Sequence, residues 1–236
     1  MIQAILLDIE GTTTPIEFVH EVLFPYARDQ MRDFVRDHNS EIQQEIAQLR
    51  DEHIQDYSKD EYREIFDENH ADSVSAYLQF LIGIDRKSTP LKTIQGKIWQ
   101  DGYESGDLVS QVFDDVPPAF QRWKAENKTI AIYSSGSVLA QQLIFKYSDH
   151  GDLSPWIAQY FDTKVGHKRE VDSYRNISGT LEQRPEEILF ISDIVEELDA
   201  ARDAGLSTAL AVRKGNASVD GKISHTAIEN FDDLEV

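Results

Sequence analysis

Ala4-Ile-Leu-Leu-Asp8-Ile-Glu-Gly-Thr12 is the stretch whose reading sets the fold. An apolar run without polar alternation that stops at a carboxylate and a glycine is expected of a central parallel strand, covered on both faces and ending in a turn. Thr129-Ile-Ala-Ile-Tyr-Ser134 and Ile188-Leu-Phe-Ile-Ser-Asp193 have the same form, and Thr208-Ala-Leu-Ala-Val212 is a fourth candidate. All four lie outside residues 16–113. Inside that interval the period is helical. Val74, Tyr77, Leu78, Leu81 and Ile82 recur at helical spacing, and Ile42, Ile46 and Leu49 make a narrower stripe. Asp115-Val-Pro117-Pro118 then punctuates the chain, with a proline in the first turn of a helix carrying Phe120 and Trp123 and the Asp114-Asp115 pair as its capping residues. Residues 195–204 read as a helix, and Gly205 stands where a left-handed C-terminal cap is expected.

Strands alternating with helices predict an α/β fold, a Rossmann-like parallel sheet core with right-handed crossovers. The strand-free interval is then an inserted all-helical cap. Residues 1–15 and 114–236 form the catalytic core, and residues 16–113 the cap. An insert that leaves after the first strand and returns before the second is expected over the carboxyl end of that strand, where open α/β sheets place their ligands.

Composition narrows the function before any motif is read. The 236 residues carry 23 Lys plus Arg against 43 Asp plus Glu, a net charge of −20, and such a field repels polyanions, so no nucleic-acid partner is expected. Zero Cys removes disulfides, thiolate metal sites and cysteine nucleophiles, and suits a reducing compartment. No stretch approaches the ~18 apolar residues of a membrane span, and the first residues lack the basic flank and cleavage site of a secretory signal. A soluble cytoplasmic protein without membrane partners is expected, with the nucleus a further compartment if the source is eukaryotic. With 40% hydrophobic and 28% charged residues, the acidity does not read as disorder. The seven His show no His-Glu-x-x-His spacing and read as surface or packing residues.

Three of the buried runs end in side chains suited to phosphate chemistry: Asp8, Ser134 and Asp193. Strand ends of a parallel sheet converge on one crevice, so these distant residues become neighbours there. Glu10 follows Asp8 at i+2, and if extended geometry persists the two carboxylates share a side. Adjacent carboxylates repel unless a cation holds them or one stays protonated; the first outcome is a magnesium site, the second a general acid. Singly, each of these residues also has an ordinary role, Asp8 before a turn and Ser134 at a helix cap. Their joint occurrence at successive strand ends is what points to chemistry.

Asp8-Ile-Glu-Gly-Thr12 after a hydrophobic strand resembles the first motif of the haloacid dehalogenase-like hydrolases, and Asp8-Ile-Glu-Gly-Thr-Thr-Thr-Pro-Ile16 is similar to their enolase-phosphatase (acireductone synthase) branch. Ser134-Ser135-Gly136-Ser137 resembles the second motif, Gly166-His167-Lys168 the third, and Ser192-Asp193 with Glu197 the fourth. The resemblance covers nearly the whole chain. It implies Asp8 as the nucleophile that becomes an aspartyl phosphate, and Glu10 as the acid and base. Most of the superfamily has Asp at the position of Glu10, so the longer side chain favours the enolase-phosphatase branch. It also implies Ser134, Ser135 and Lys168 as substrate-binding residues around the transferring phosphoryl group. Mg²⁺ would be held by Asp8, Asp193 and the main-chain carbonyl of Glu10, with Glu197 an outer-shell candidate. His167 would orient the loop bearing Lys168, and Glu17, Phe18 and His20 are candidates to touch substrate.

The implied reaction belongs to methionine salvage: 2,3-diketo-5-methylthiopentyl-1-phosphate is enolised and then dephosphorylated to the acireductone 1,2-dihydroxy-3-keto-5-methylthiopentene. The alternative is a Mg²⁺-dependent phosphatase for another small phosphorylated metabolite. Monomer is the default expectation.

Overall fold

The structure, a computed structural model, describes residues 1–84, 86–218 and 224–234. Residues 219–223 and 235–236 of the core read from sequence lie outside the described residues. Among the described residues six strands, β1 (Ala4–Leu7), β2 (Thr129–Tyr133), β3 (Gln159–Phe161), β4 (Ile188–Ser192), β5 (Ser207–Ala211) and β6 (Thr226–Ile228), form one parallel sheet in the order β3-β2-β1-β4-β5-β6. β1 is central, in register with β2 (Leu7 beside Ile132) and β4 (Leu7 beside Ile191), and every one of its residues is buried. The chain reverses its direction of growth across the sheet at β1, so the strand that ends at Asp8 lies at the topological switch point, where such sheets open a crevice.

The described residues also form eight α-helices, α1 (Phe24–Asp37), α2 (Gln43–Ser58), α3 (Ala71–Gly83), α4 (Thr89–Ser105), α5 (Val116–Ala125), α6 (Val138–Lys146), α7 (Val171–Leu181) and α8 (Val195–Asp203). Side-chain alternation along the strands gives the sheet two apolar faces. On one face Ala4, Leu6, Ala131, Tyr133, Ile188 and Phe190 pack with Tyr174 and Ile177 of α7 and Leu198 and Ala201 of α8. Ile5, Leu7, Ile130 and Ile132 point the other way, and Phe120 and Trp123 of α5 are buried with Phe145 and Phe231, their rings 5.3–6.1 Å apart.

The chain divides into two compact units, Met1–His20 with Leu108–Val236, and Glu21–Asp107. The divisions fall inside the 16–113 interval because its flanks are tied to the sheet unit. Phe113 N–H donates to Thr13 O (3.0 Å) and Ser110 N–H to Tyr147 O (2.9 Å). The helical unit contains no strand among the described residues. Its core takes Ile46 and Leu49 from α2 and Val74, Tyr77, Leu78 and Leu81 from α3, the stripes read from the sequence. Buried Asp56 is satisfied by Tyr77 Oη (2.7 Å) and Arg86 (3.1 Å).

Gly205 follows α8 with φ +99°, the left-handed conformation expected of it. Two findings differ from the sequence reading. β3 and β6, three residues each, were not visible as apolar runs, because each pairs on one side only and needs no continuous apolar sequence. Asp115 sits at the N-cap position of α5 but makes no side-chain cap bond. Its Oδ2 accepts instead from Arg213 Nη2 (2.8 Å) and from Phe231 N–H (2.6 Å), because a buried guanidinium is a stronger partner than a helix-end amide.

Candidate active site

The turn after β1 is wound tightly by its own main chain. Ile9 O accepts from the N–H groups of Thr12, Thr13 and Thr14, Gly11 N–H donates to Thr14 O (2.9 Å), and the Thr13 hydroxyl donates to Asp8 O (3.1 Å). Gly11 has φ +66°, and a Cβ there would come within 2.5 Å of Asp193 Oδ2 and 2.8 Å of Asn216 Oδ1. Glycine is required on both counts. The loop after β5 grips the same turn from outside: Asn216 Nδ2 donates to Gly11 O (2.9 Å) and Arg213 Nε to Thr12 O (3.1 Å).

Asp8, 5% exposed, is held at both oxygens. Oδ1 accepts from Ile9 N–H (2.7 Å), and Oδ2 lies 2.6 Å from Lys168 Nζ. Lys168 Nζ is equally close, 2.6 Å, to Glu197 Oε2. The Ser192 hydroxyl accepts from Ile194 N–H (3.1 Å) and stands 3.2 Å from Asp8 Oδ2 and 3.0 Å from Glu197 Oε2, so its one proton serves two carboxylates. The loop carrying Lys168 is pinned from three sides: Tyr174 Oη donates to Lys168 O (2.6 Å), Ser173 Oγ to His167 O (2.7 Å) and Tyr133 Oη to Gly166 O (2.9 Å).

One ammonium among three carboxylates leaves negative charge in excess. Burial pulls the Lys168 ammonium down, but Asp8 and Glu197 outweigh it and hold the group above an ordinary lysine. Burial and the Asp8 charge raise Glu197 despite the ammonium. Burial, with repulsion from Asp8, pushes Asp193 up to about 7. The carboxylates pressing on one another are thus Asp8, Asp193 and Glu197, gathered from the ends of β1 and β4 and the first turn of α8.

The remaining sequence candidates lie nearby in the fold. Glu10 is partly exposed, its carboxylate 3.9 Å from His20 Nε2. Ser134 follows β2, the neighbour of β1; its Oγ accepts from Gly136 N–H (3.1 Å), and Ser135 beyond it is exposed. His167 is exposed, and its Nδ1 accepts from Arg169 N–H (3.3 Å), so it shapes the loop bearing Lys168. Lys168 itself is buried, not a solvated lysine. Sequence reasoning missed Ser192 as a partner, Tyr133 and Tyr174 as anchors, and Arg213 and Asn216 altogether. For the last two a signal existed: polar Arg213-Lys-Gly-Asn216 directly follows a buried strand run.

A family model for the haloacid dehalogenase-like hydrolases matches residues 2–205. A protein of the cyanobacterium Synechococcus elongatus named enolase-phosphatase E1 is 51% identical, over 99% of this chain and 98% of its own. One of Drosophila willistoni with the same name is 46% identical, over 100% of this chain and 97% of its own. The chain belongs to the enolase-phosphatase family of haloacid dehalogenase-like hydrolases. A solved structure, that of the UTR4 protein of Saccharomyces cerevisiae, aligns with this enolase-phosphatase family member at a TM-score of 0.81 and 34% identity, covering 99% of this chain and 100% of the other. A dehalogenase structure at 16% identity and a TM-score of 0.56 shares the fold.

The donor set of this family member suits a hard divalent cation. Asp8 and Asp193 repel one another in a buried setting, and a main-chain carbonyl follows two residues after Asp8. A cation held there would offset the burial and the Asp8 repulsion that raise Asp193. Among the described residues no group of three His, Asp or Glu side chains forms a metal cage. A set of two carboxylates and one carbonyl does not require one.

Proposed function

We propose that the chain converts 2,3-diketo-5-methylthiopentyl-1-phosphate first to its enol and then, through an aspartyl phosphate on Asp8, to the acireductone and inorganic phosphate, in the cytoplasm and with Mg²⁺. The carrying observation is the setting of Asp8: a buried carboxylate at the switch point, held at Oδ2 by Lys168 (2.6 Å) and at Oδ1 by a main-chain amide. Both bonds fix one orientation of a group that must attack in line.

Asp8, Asp193 and the Glu10 carbonyl would hold Mg²⁺, which would supply charge neutralisation and Lewis acidity toward a substrate carbonyl. Asp8 attacks phosphorus; its oxygen–phosphorus bond forms as the ester bond breaks, and Glu10 gives a proton to the departing oxygen. Glu10, now ionised, takes a proton from water, which attacks the aspartyl phosphate and frees Asp8 and phosphate. The partly exposed position of Glu10 suits this exchange better than the buried position of Asp8. Ser134 and Ser135 hold the equatorial oxygens, and Lys168 balances their charge. Glu197 and Ser192 keep Lys168 aimed when substrate competes for it. For the enolisation, a proton leaves the carbon beside the polarised carbonyl and one is returned to oxygen, with no net loss of atoms.

The test follows enol absorbance and free phosphate together after adding the diketone phosphate. The enol should rise before phosphate appears. Asp8→Asn should lower phosphate release by at least about 1,000-fold with an unchanged circular dichroism spectrum, since an amide is a poor nucleophile. Phosphate released with no enol would reduce the reading to a plain phosphatase, and an active Asp8→Asn would end it.

A further inference from the structure

Asn216 carries an observation that the reaction above does not use. Its Nδ2 donates to two carbonyls, Gly11 O (2.9 Å) and Ala211 O (3.1 Å). Those two acceptors fix the amide's orientation, because a flip would set its oxygen against both carbonyl oxygens. Oδ1 must therefore face away from them, and there it is buried and accepts no hydrogen bond from any of the described residues. An amide oxygen in that condition is costly to the fold unless something donates to it.

The direction it faces is given by Gly11. The point where a Cβ on Gly11 would lie is 2.8 Å from Asn216 Oδ1 and 2.5 Å from Asp193 Oδ2. Two acceptor oxygens, one just after β4 and one in the loop after β5, thus lie at one spot on the Gly11 Cα, kept open by the missing side chain. Two acceptor oxygens this close to one point call for a donor with two hydrogens. Mg²⁺ keeps several waters when bound by one or two carboxylates, and such waters are strong donors.

We propose that Asn216 is a positioning residue of the metal site: its Oδ1 accepts from a water of the hydration shell of the cation that Asp193 holds, while its N–H groups hold the Gly11 turn. The inference rests on the reading above, in which Asp8 and Asp193 bind Mg²⁺. Partners of this outer kind typically change metal affinity by about 10- to 100-fold when removed.

Calorimetric titration of Mg²⁺ into the substrate-free protein tests it, with urea unfolding of the EDTA-treated proteins alongside. Asn216→Ala loses donors and acceptor; Asn216→Asp loses the donors to Gly11 and Ala211 but presents an oxygen to the same spot. Both should unfold at similarly lowered urea concentrations. Mg²⁺ should bind Asn216→Ala about tenfold or more weakly than wild type, and Asn216→Asp clearly more tightly than Asn216→Ala. A role through the turn alone predicts the two variants equally weak, and that result, or wild-type affinity in Asn216→Ala, overturns the inference. Asp193→Asn serves as the separate control. If it binds Mg²⁺ as wild type does, the metal-site reading itself fails, whereas silent Asn216 variants beside an impaired Asp193→Asn remove only the role of Asn216.

Discussion

Asp193 shows what burial beside a second carboxylate does to one side chain. Its pKa rises from 3.8 to about 7 because burial and the Asp8 charge both disfavour the ionised form. A carboxyl whose folded pKa exceeds its unfolded one binds its proton more tightly when folded. Its ionisation therefore burdens the fold: nothing below about pH 4, increasingly from there to about pH 7, and a constant amount above. Asp193→Asn removes the burden. In EDTA the variant should be more stable than wild type by about 2 kcal/mol at pH 8, and the gap should close at pH 4. Urea unfolding at the two pH values measures it. Added Mg²⁺ should then stabilise wild type and not the variant; equal stabilities in EDTA at pH 8 would show that this carboxyl is not the strained one. Lys168 illustrates the opposite arrangement, with an ammonium whose two carboxylate partners outweigh the effect of its burial.

At the level of elements, the turn after β1 is the part that must not change shape. Its Ile9 carbonyl gathers three amides, and its Gly11 combines a left-handed φ with contacts that leave no room for a methyl group. Gly11→Ala should cost about 1–3 kcal/mol of stability, from strain and from displacement of Asp193. Phosphate release should fall by about tenfold or more while the variant still folds. Thermal unfolding with an activity assay separates the two effects; full activity would mean that Asp193 moves aside without consequence. The glycine was legible in the sequence as a turn residue after a strand, but not its contact with Asp193, because 182 positions separate the two. β3 and β6 were illegible for a related reason: their strand character comes from pairing with β2 and β5, not from their own composition.

Over the whole molecule, Arg213 joins three places far apart in the chain. Its guanidinium donates to Thr12 O, Glu229 O and Asp115 and lies between the rings of Phe113 and Phe231, 4.6 and 4.7 Å from their centres. Arg213→Met keeps much of the apolar contact but strands Asp115, whose buried carboxylate keeps only the Phe231 amide of the two partners described above. The variant should lose about 3–5 kcal/mol in urea unfolding; a loss below about 1 kcal/mol would mean that Asp115 is relieved by solvent. Local order in the chain sufficed for the central strands, the helical stripes, the strand-free interval and the placing of Asp8, Ser134 and Asp193 at strand ends, because burial on both sheet faces forces apolar runs and strand ends must turn; Lys168 was singled out only by the resemblance of its motif. Folding in three dimensions was needed to set Glu197 on Lys168 and Ser192 between Asp8 and Glu197, to turn Asp115 from a cap into the partner of Arg213, and to bring Asn216 against Gly11. Those contacts are charge and hydrogen-bond pairings between segments as much as 205 positions apart, and no periodicity in a chain records which distant groups will share a buried site.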